Sequence, residues 1–478
     1  MSPSEERLNP WLLPRSWQWA TVEEIADTTS GGTPRRDRPQ FYGGTIPWVK
    51  SGELRDGVVH QAEEAITEEA LAASSAKLFP KGTVCIALYG ATVGRLGILG
   101  IDASTNQAVC GIFHTNAVLP WFLFRFLQLI RQQLVELGKG GAQPNISQSI
   151  VRQTRVPVAP SNEQQRILDE IDKQFTRLDA AVAALRRIQA NLKRYRAAVL
   201  KAACEGSLVP SEAELARREG RSWACFESDS KPPDGLPVGW QLSTVQQSIR
   251  IIDYRGRTPP FSESGLPHLR SSNIRNGKII WEGVAHVTEE MFQKYMTRGL
   301  PEPGDILFTT EAPLGEVALA PTERRFSVAQ RIMILRPTSR QLDSRFLMYQ
   351  IMNPRFQSIL YGRGTGTTVT GVSSRNFRPA PIAIPPLAEQ LRIVEKVEKH
   401  FSVIDELESQ CEVDLKRAER LRQSVLKHAF EGTLVHQDPN DEPANVLLER
   451  IRADRKVADQ RVSVPARGRR KKEATRVS

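Results

Sequence analysis

Two stretches of this chain, 161–205 and 387–431, keep a helical rhythm with neither glycine nor proline to break it. In the first, apolar residues fall seven apart at Ile171, Leu178, Leu185, Leu192 and Val199. The second repeats the row at Val397, Ile404, Cys411, Ala418 and Val425. A further row runs through Phe175 and Val182, then Ile188 and Tyr195 after a small slip of phase. This spacing predicts an α-helix with one apolar seam, roughly 60 Å long at 1.5 Å per residue. Ser161 with Gln164 predicts a capping box at its start, and Gly206 and Gly432 mark the two ends. The regions before each helix read differently. There, short β-like runs such as Thr83–Leu88 and Asp305–Phe308 are separated by Gly and Pro.

Laid on itself at an offset of 223–226 residues, the chain matches itself. Leu13-Pro14-x-x-Trp17 returns as Leu236-Pro237-x-x-Trp240, and Thr21-Val22 as Thr244-Val245. Ile46-Pro47-Trp48-Val49-Lys50-Ser51 aligns with Leu266-Pro267-His268-Leu269-Arg270-Ser271. Glu163-Gln164-Gln165-Arg166-Ile167 matches Glu389-Gln390-Leu391-Arg392-Ile393, and Val199–Val209 matches Val425–Val435 at eight of eleven positions. So long a period describes a duplicated module, a β-rich head followed by a long helix, rather than a solenoid.

Charge along the helices bears on how they pair. Residues 163–179 hold five acids and three bases, whereas 186–201 hold six bases and no acid. The order recurs: 395–414 hold seven acids and two bases, and 416–427 five bases and one acid. Antiparallel pairing sets each basic half against the other's acidic half. The same order also suits each helix dipole without any pairing. The expected fold is α+β: two similar heads joined by two long antiparallel helices in a coiled coil, with approximate two-fold symmetry. The expected boundaries are a first head at 1–160, a helix at 161–209 and a linker at 210–235. A second head at 236–386, a helix at 387–435 and a basic, disordered tail at 436–478 complete the order.

Composition narrows the class. At 478 residues the chain exceeds one core, and a 40% hydrophobic, 25% charged composition is that of a globular protein. Its longest apolar run, Val118–Ile130, is interrupted by Pro120, Arg125 and Gln128, which excludes a membrane span. Met1–Leu12 lacks the order of a signal peptide. Cys85, Cys110, Cys204, Cys225 and Cys411 form no CxxC pair, so neither a disulfide framework nor a zinc site is expected, and the reading is a cytoplasmic protein. The net charge of +11 admits nucleic acid as a partner, but the last 18 residues alone carry +6 of it.

Enzyme motifs do not emerge. No GxxxxGK[ST] loop, GxSxG, HExxH or Asn-Pro-Pro-aromatic sequence occurs, and the Gly-rich 362–366 stretch does not match GxGxxG. The seven histidines are scattered without metal-ligand spacing. No catalytic residue, cofactor site or metal site is therefore assigned. A stand-alone DNA-modifying enzyme with an unrecognised site stays open as the alternative, as does a coiled-coil protein whose heads bind protein.

Several motifs together resemble one family. They are the Leu-Pro-x-x-Trp that opens each half, Gly31-Gly32-Thr33-Pro34, the run Tyr42–Gly52, and Pro385-Pro386-Leu387-Ala388-Glu389-Gln390. The Val-Leu-Lys-x-Ala-x-Glu-Gly-x-Leu-Val closing each module adds to these. From Leu13 to Val435 the chain resembles the specificity (S) subunits of type I restriction–modification enzymes, a phage-defence system. That resemblance implies two target-recognition domains, each reading half of a bipartite double-stranded DNA site. It implies helices that act as spacer and as a dock for two methyltransferase (M) subunits, which methylate adenine with S-adenosylmethionine. Restriction (R) subunits, using ATP and Mg, are possible further partners. The S subunit itself would hold no cofactor.

The segments that match between copies nominate DNA-contacting residues, because two like heads should face DNA alike. In the first head these are Thr33, Arg35, Lys50, Ser51, Gln107, Lys139 and Gln143; in the second, Arg255, Arg257, Arg270, Ser271, Asn273, Arg331, Arg363 and Thr365. Lys50, Ser51, Arg270 and Ser271 also suit plain turn residues. Tyr89–Gly94 reads either as a readout loop or as a tight hairpin turn. Trp17 and Trp240 read as core anchors ahead of base-stacking groups. Arg186, Arg187, Lys193, Arg194 and Arg196 suit a partner-facing or solvated face, or contacts to spacer phosphates.

Overall fold

The computed structural model describes residues 12–115, 117–138, 145–221, 235–254, 258–365 and 370–462, with side chains described up to 453. The chain divides into two compact units: Met1–Ala183 with Leu415–Ser478, and Ala184–Asp414. Each unit therefore holds one head, the early half of the helix that follows it, and the late half of the other long helix.

The first head carries β1 (Gln18–Thr21), β2 (Asp27–Ser30), β3 (Tyr42–Val49), β4 (Gly57–Val59) and β5 (Glu64–Ile66). After them come β6 (Leu78–Phe79), β7 (Val84–Ala87), β8 (Leu96–Leu99), β9 (Ala103–Thr105), β10 (Val109–Phe113) and β11 (Arg155–Val158). They form a sheet β2-β10-β7-β8-β4, a second sheet β5-β3-β9-β6 and the pair β1-β11. Every residue of β7 and β8 is buried, so these strands read as unbroken apolar runs rather than alternating ones. Between them Tyr89–Gly94 makes a tight turn, with Gly90 and Gly94 at positive φ and Val93 N–H donating to Gly90 O at 3.2 Å.

The second head repeats the plan with β12 (Gln241–Thr244), β13 (Ile249–Asp253), β14 (Leu266–Leu269), β15 (Ile274–Arg275), β16 (Lys278–Ile279) and β17 (Ala285–Val287). It continues with β18 (Ile306–Thr309), β19 (Val317–Leu319), β20 (Ser327–Val328), β21 (Ile332–Pro337) and β22 (Pro381–Ile384). The sheets β13-β21-β18-β19 and β17-β14-β20 and the pair β12-β22 correspond to those of the first head. Registers correspond too: Trp48 lies opposite Ser104 in a parallel pair, as His268 lies opposite Ser327.

The long helices span Ser161–Cys204 and Leu387–Phe430, 44 residues each. In the first unit Arg422, from the late half of the second helix, pairs with Asp179 of the first and lies 4.4 Å over the Phe175 ring. In the second unit Arg196, from the late half of the first helix, pairs with Asp405 and, at 3.2 Å, Glu408. Basic late halves thus meet acidic early halves, which is the antiparallel arrangement. Of the expected rows, Ile171, Phe175, Leu192, Val199, Val397, Ile404, Cys411 and Ala418 are buried. The second row is corrected only after its slip of phase. Ile188 and Tyr195 are exposed. At that end of the helix Leu192, Val199, Leu200 and Ala203 face the core instead.

Each core is closed by the end of the helix belonging to the other module. Leu426, Ala429 and Phe430 join Trp17 and Phe122 in the first unit; Val199, Leu200 and Ala203 join Trp240 and Phe346 in the second. Helix exit is held by Gly432 (φ +71°) and Gly206 (φ +73°), where a Cβ would stand 2.3 Å from Pro14 Cγ and 2.2 Å from Pro237 Cγ.

The repeated Glu-Gln-x-Arg-Ile motif explains itself here. Trp17 Nε1 donates to Glu163 Oε2 at 3.0 Å and Trp240 Nε1 to Glu389 Oε1 at 2.7 Å, so both indoles are core anchors. Gln164 Nε2 donates to Ala117 O and Ala159 O, each at 2.9 Å, while its Oε1 accepts from Leu119 N at 2.8 Å. Gln390 does the same with Gln341 O, Pro385 O and Asp343 N, all at 2.8 Å. The expected capping role of Gln164 is thus corrected, because the amide clamps loops of the head to the helix start. Arg166 pairs with Asp441 at 2.6 Å, and Arg392 with Glu212.

The linker contains a short helix, and the tail expected to be disordered begins with a long one. Ser211 caps Glu212–Arg218 within the linker. A helix spans Ala444–Val462, and its Ala444, Leu448 and Ile451 are buried in the first unit's core. Their spacing of four and three residues is helical, but the surrounding basic composition masked it.

Candidate nucleic-acid interface

In the first head, β3 and β9 run parallel, so their chains leave the sheet side by side at Lys50-Ser51 and Asn106-Gln107. Asn106 N–H donates to Val49 O at 3.0 Å, and Gly32 N–H to Thr105 O at 2.9 Å. The second bond draws in the Gly31-Gly32-Thr33 segment. Only glycine fits at 31, where a Cβ would lie 2.1 Å from Thr105 Oγ1. Thr33 Oγ1 then bonds Gln107 Oε1. The structure brings Thr33, Lys50, Ser51 and Gln107 to one strand end.

Their charges are balanced rather than bare. Lys50 Nζ lies 3.1 Å from both Glu63 and Glu64, and these carboxylates, Glu63 foremost, hold its ammonium above the ordinary lysine range. Arg35 forms a two-pronged bond to Asp37 at 3.1 and 2.7 Å on the exposed surface. Cations held this way are oriented in advance and must trade a carboxylate for a phosphate on binding.

The second head builds the same strand end from β14 and β20. Arg270-Ser271 leaves one strand and Ala329-Gln330-Arg331 the other, with Ala329 N–H donating to Leu269 O at 2.8 Å. Arg270 N–H donates to Asn273 Oδ1 at 2.9 Å, as Lys50 N–H does to Glu53 Oε1 at 2.9 Å. Arg270 itself is exposed. Ser271 and Asn273 are revised. Both are buried, with Ser271 Oγ donating to Ala312 O at 3.0 Å and Asn273 Nδ2 to Ile280 O at 3.1 Å. Ser271 is thereby tied to the loop at Ala312, and Asn273 closes its own turn onto Ile280.

Arg331 and Thr365, far apart in sequence, meet across a cleft of about 350 Å³ together with Thr310, Glu311, Gln330 and Ser373. Arg331 Nε lies 2.5 Å from Glu311 Oε1. Thr365 is held by reciprocal backbone bonds to Gly371 at 2.9 and 3.0 Å. Arg363 follows the helix Pro354–Gly362, half-buried, and its Nη1 has no hydrogen-bond partner among the described residues. Lys139, Gln143, Arg255 and Arg257 lie outside the described residues. Gln330 is a candidate the sequence reading passed over. It stands where Gln107 does, and an offset of 223 within Gln107-Ala108-Val109 and Gln330-Arg331-Ile332 carried that signal.

On the helices, Arg196 faces the partner helix, whereas Arg186, Arg187, Lys193 and Arg194 are exposed. Among the described residues no helix is long and apolar enough to cross a membrane, and no group of His, Cys, Asp and Glu is placed to hold a metal ion.

Two copies of one head, each with a basic and amide-bearing strand end and each closed by long paired helices, define a two-headed recognition subunit. The chain belongs to the type I restriction modification DNA specificity family, whose domain matches residues 14–193 and again 238–417. It is the DNA-recognition component of such a system, working with partner subunits and without catalysis of its own. The specificity subunit of the type I restriction enzyme EcoKI from Escherichia coli K12 is 24% identical over 471 residues, covering 93% of this chain and 96% of that one. That of StySPI from Salmonella potsdam is 24% identical over 481 residues, covering 94% and 98%. That of MjaIX from Methanocaldococcus jannaschii is 20% identical over 387 residues, covering 78% and 84%. The fold is shared with a chain solved in a study of assembly and conformational transition of the type I R-M system (TM-score 0.65, 20% identity, 89% of this chain and 100% of that one). It is also shared with the HsdS subunit from Thermoanaerobacter tengcongensis (TM-score 0.50, 19% identity, 89% and 99%).

Proposed function

We propose that each head reads one half of a bipartite double-stranded DNA site through its parallel-strand end. The observation that carries this is the equivalence of Lys50 with Arg270 and of Gln107 with Gln330, cationic and amide side chains at matching exits of matching sheets. Arginine and glutamine are suited to base edges and lysine to phosphates. The DNA-facing set in this reading is Thr33, Arg35, Lys50, Ser51 and Gln107 in one head, and Arg270, Gln330, Arg331, Arg363 and Thr365 in the other. Lys139, Gln143, Arg255 and Arg257 belong to it by position in sequence. The long helices set the gap between half-sites and dock two methyltransferase subunits, which use S-adenosylmethionine to methylate adenine in each half. The complex works in the cytoplasm of a bacterium or archaeon, and any restriction subunit that joins it brings its own ATP and Mg.

Methylation-sensitive sequencing of the source genome tests this reading. A bipartite methylated-adenine motif that disappears on deletion of this gene is expected; methylation independent of the gene sinks it. Footprinting with the methyltransferase partner should give two protected patches, and lengthening the helices should change the gap between them.

A further inference from the structure

Tyr89 opens the tight turn of the first head and stands beside its proposed reading surface. Strands β7 and β10 pair antiparallel with Ala87 opposite Val109, and Leu88 N–H donates to Ala108 O at 2.8 Å. The next residues of the two strands, facing each other across the ladder, are Tyr89 and exposed Gln107. Directly opposite residues of an antiparallel pair project to one face. The second head shows this for its own copies. There Thr310 N–H donates to Arg331 O at 2.9 Å, so Glu311 faces Gln330, and those two residues line one cleft.

The backbone at Tyr89 is held from both sides. Leu88 O accepts from Ile146 N at 2.7 Å, and Tyr89 forms an antiparallel bridge with Asn145, as Glu311 does with Gly371. Gly94 N–H donates to Ala87 O at 2.8 Å and closes the turn. The ground above it is open, since a Cβ at Gly90 would meet nothing within 4 Å. What differs between the heads is chemistry. Glu311 is ionic and committed to Arg331. Tyr89 is 37% exposed, and among the described residues its side chain has no hydrogen bond, ring contact or cation contact. A neutral aromatic face fixed beside an amide gains most from an apolar partner. Base edges in the major groove offer one such group, the 5-methyl of thymine, while the amide suits N6 and N7 of adenine. Together the two side chains match both bases of an A·T pair, or of adjacent pairs.

We propose that Tyr89 is a specificity-determining residue of the first head: its ring packs on a thymine 5-methyl in the half-site, next to the adenine edge bonded by Gln107. The second head, with Glu311 in that place, makes no such contact, so the two halves of the site are read by like backbones with unlike chemistry. The inference rests on the reading of the parallel-strand ends as the DNA-facing surface.

Full-length protein with its methyltransferase partner, bound to duplexes carrying the bipartite motif, provides the test. Each thymine of the two half-sites is replaced in turn by deoxyuridine, which removes the methyl and leaves the pairing unchanged. Wild type should lose about fourfold in affinity at one thymine of one half-site, the loss of one buried methyl. Tyr89→Ala should bind the thymine duplex more weakly and no longer distinguish thymine from uridine at that position. Tyr89→Phe keeps the ring and should keep the discrimination. Uridine in the other half-site should affect all three proteins alike. The proposal is overturned if wild type is indifferent to every uridine, or if the motif holds no A·T pair. It is equally overturned if Tyr89→Ala keeps the wild-type uridine response, or if Tyr89→Phe loses it. Should Gln107→Ala and Gln330→Ala both bind the motif as wild type does, the strand-end reading itself fails, and this proposal with it.

Discussion

Trp17 donates its indole N–H to Glu163 at 3.0 Å, joining residues 146 apart in sequence at the start of the first long helix. Trp240 and Glu389 repeat the contact at 2.7 Å. The bond ties the opening motif of each head to the first turn of the helix that follows it. Trp17→Phe keeps most of the apolar contact and removes the donor, so Glu163 stays buried with a bond unmade. Leaving a buried acceptor with a bond unmade costs about 1–3 kcal/mol. Local hydrogen exchange in the first unit should accelerate to match, with the second unit unchanged; Trp240→Phe should give the reverse.

Opposite pH dependences follow from two kinds of carboxylate. Burial pushes Glu163 and Glu389 above the usual range, and their N–H donors reverse only part of the shift. A group that holds its proton more tightly when folded loses stability as pH rises from its unfolded value through its folded one. Asp441 is held below the usual range by Arg166, so its contribution is present above its unfolded value and is lost as pH falls through the lowered one. Unfolding of Glu389→Gln should show a shallower loss on the rising side. Asp441→Asn should show a shallower loss on the acid side. Profiles parallel to wild type would contradict both assignments.

Substituting the helix-exit glycines tests how the heads are closed. Gly206 and Gly432 need left-handed backbone, and a methyl at either would meet a proline ring at 2.2–2.3 Å. The backbone term alone costs about 1–2 kcal/mol for an L-residue. Gly432→Ala should therefore loosen the packing of Trp17, read as a change in tryptophan fluorescence and a lower unfolding midpoint. Gly283→Ala provides the control, because it shares the positive φ (+66°) with nothing within 4 Å of the added methyl.

Arg196 makes the charge contacts between the helices in the second unit with Asp405 and Glu408, and also lies 4.4 Å over the Phe401 ring. It is mostly shielded, unlike Asp179 in the equivalent pair with Arg422. Arg196→Ala should cost about 1–2 kcal/mol, from the stacked cation and the lost partner of Glu408, with Asp405 keeping its pair with Lys278. Asp179→Asn should cost well under about 1 kcal/mol, as an exposed partner does. Denaturant unfolding of the two variants should rank them in that order.

The long helices were legible because nothing interrupts their apolar row, and the duplication was legible because Trp17 and Trp240, Glu163 and Glu389, and Lys50 and Arg270 recur in step. What stayed hidden depends on contacts distant in sequence. Gln164 looks like a capping residue until the loop at Ala117–Leu119 folds onto it. Ser271 and Asn273 look like contacts for DNA until the turn draws both inward. Ile188 and Tyr195 look like seam residues, yet the helix turns Leu192 and Val199 to the core and leaves those two outside. In the candidate interface, the parallel pairing that sets Gln107 beside Lys50 and Gln330 beside Arg270 cannot be read from either strand alone.

Lys50 and Arg331 should behave differently on DNA, and the difference separates anchoring from readout. Lys50 is held between Glu63 and Glu64, a cluster that a phosphate can enter only by displacing carboxylates. Lys50→Ala should weaken all duplexes alike and lower the salt dependence of binding by about one counterion. Arg331 lies in a cleft beside Gln330 and Thr365, pinned by Glu311. If it reads a base edge, Arg331→Ala should cost about 1–3 kcal/mol on the cognate half-site and little on an altered one, narrowing the discrimination between them. Glu311→Gln frees the guanidinium without removing it, so that variant should keep discrimination while tightening binding to every sequence at low salt. Binding of Arg331→Ala that falls equally on cognate and altered duplexes would move Arg331 from the base-reading group to the phosphate-holding group, alongside Lys50.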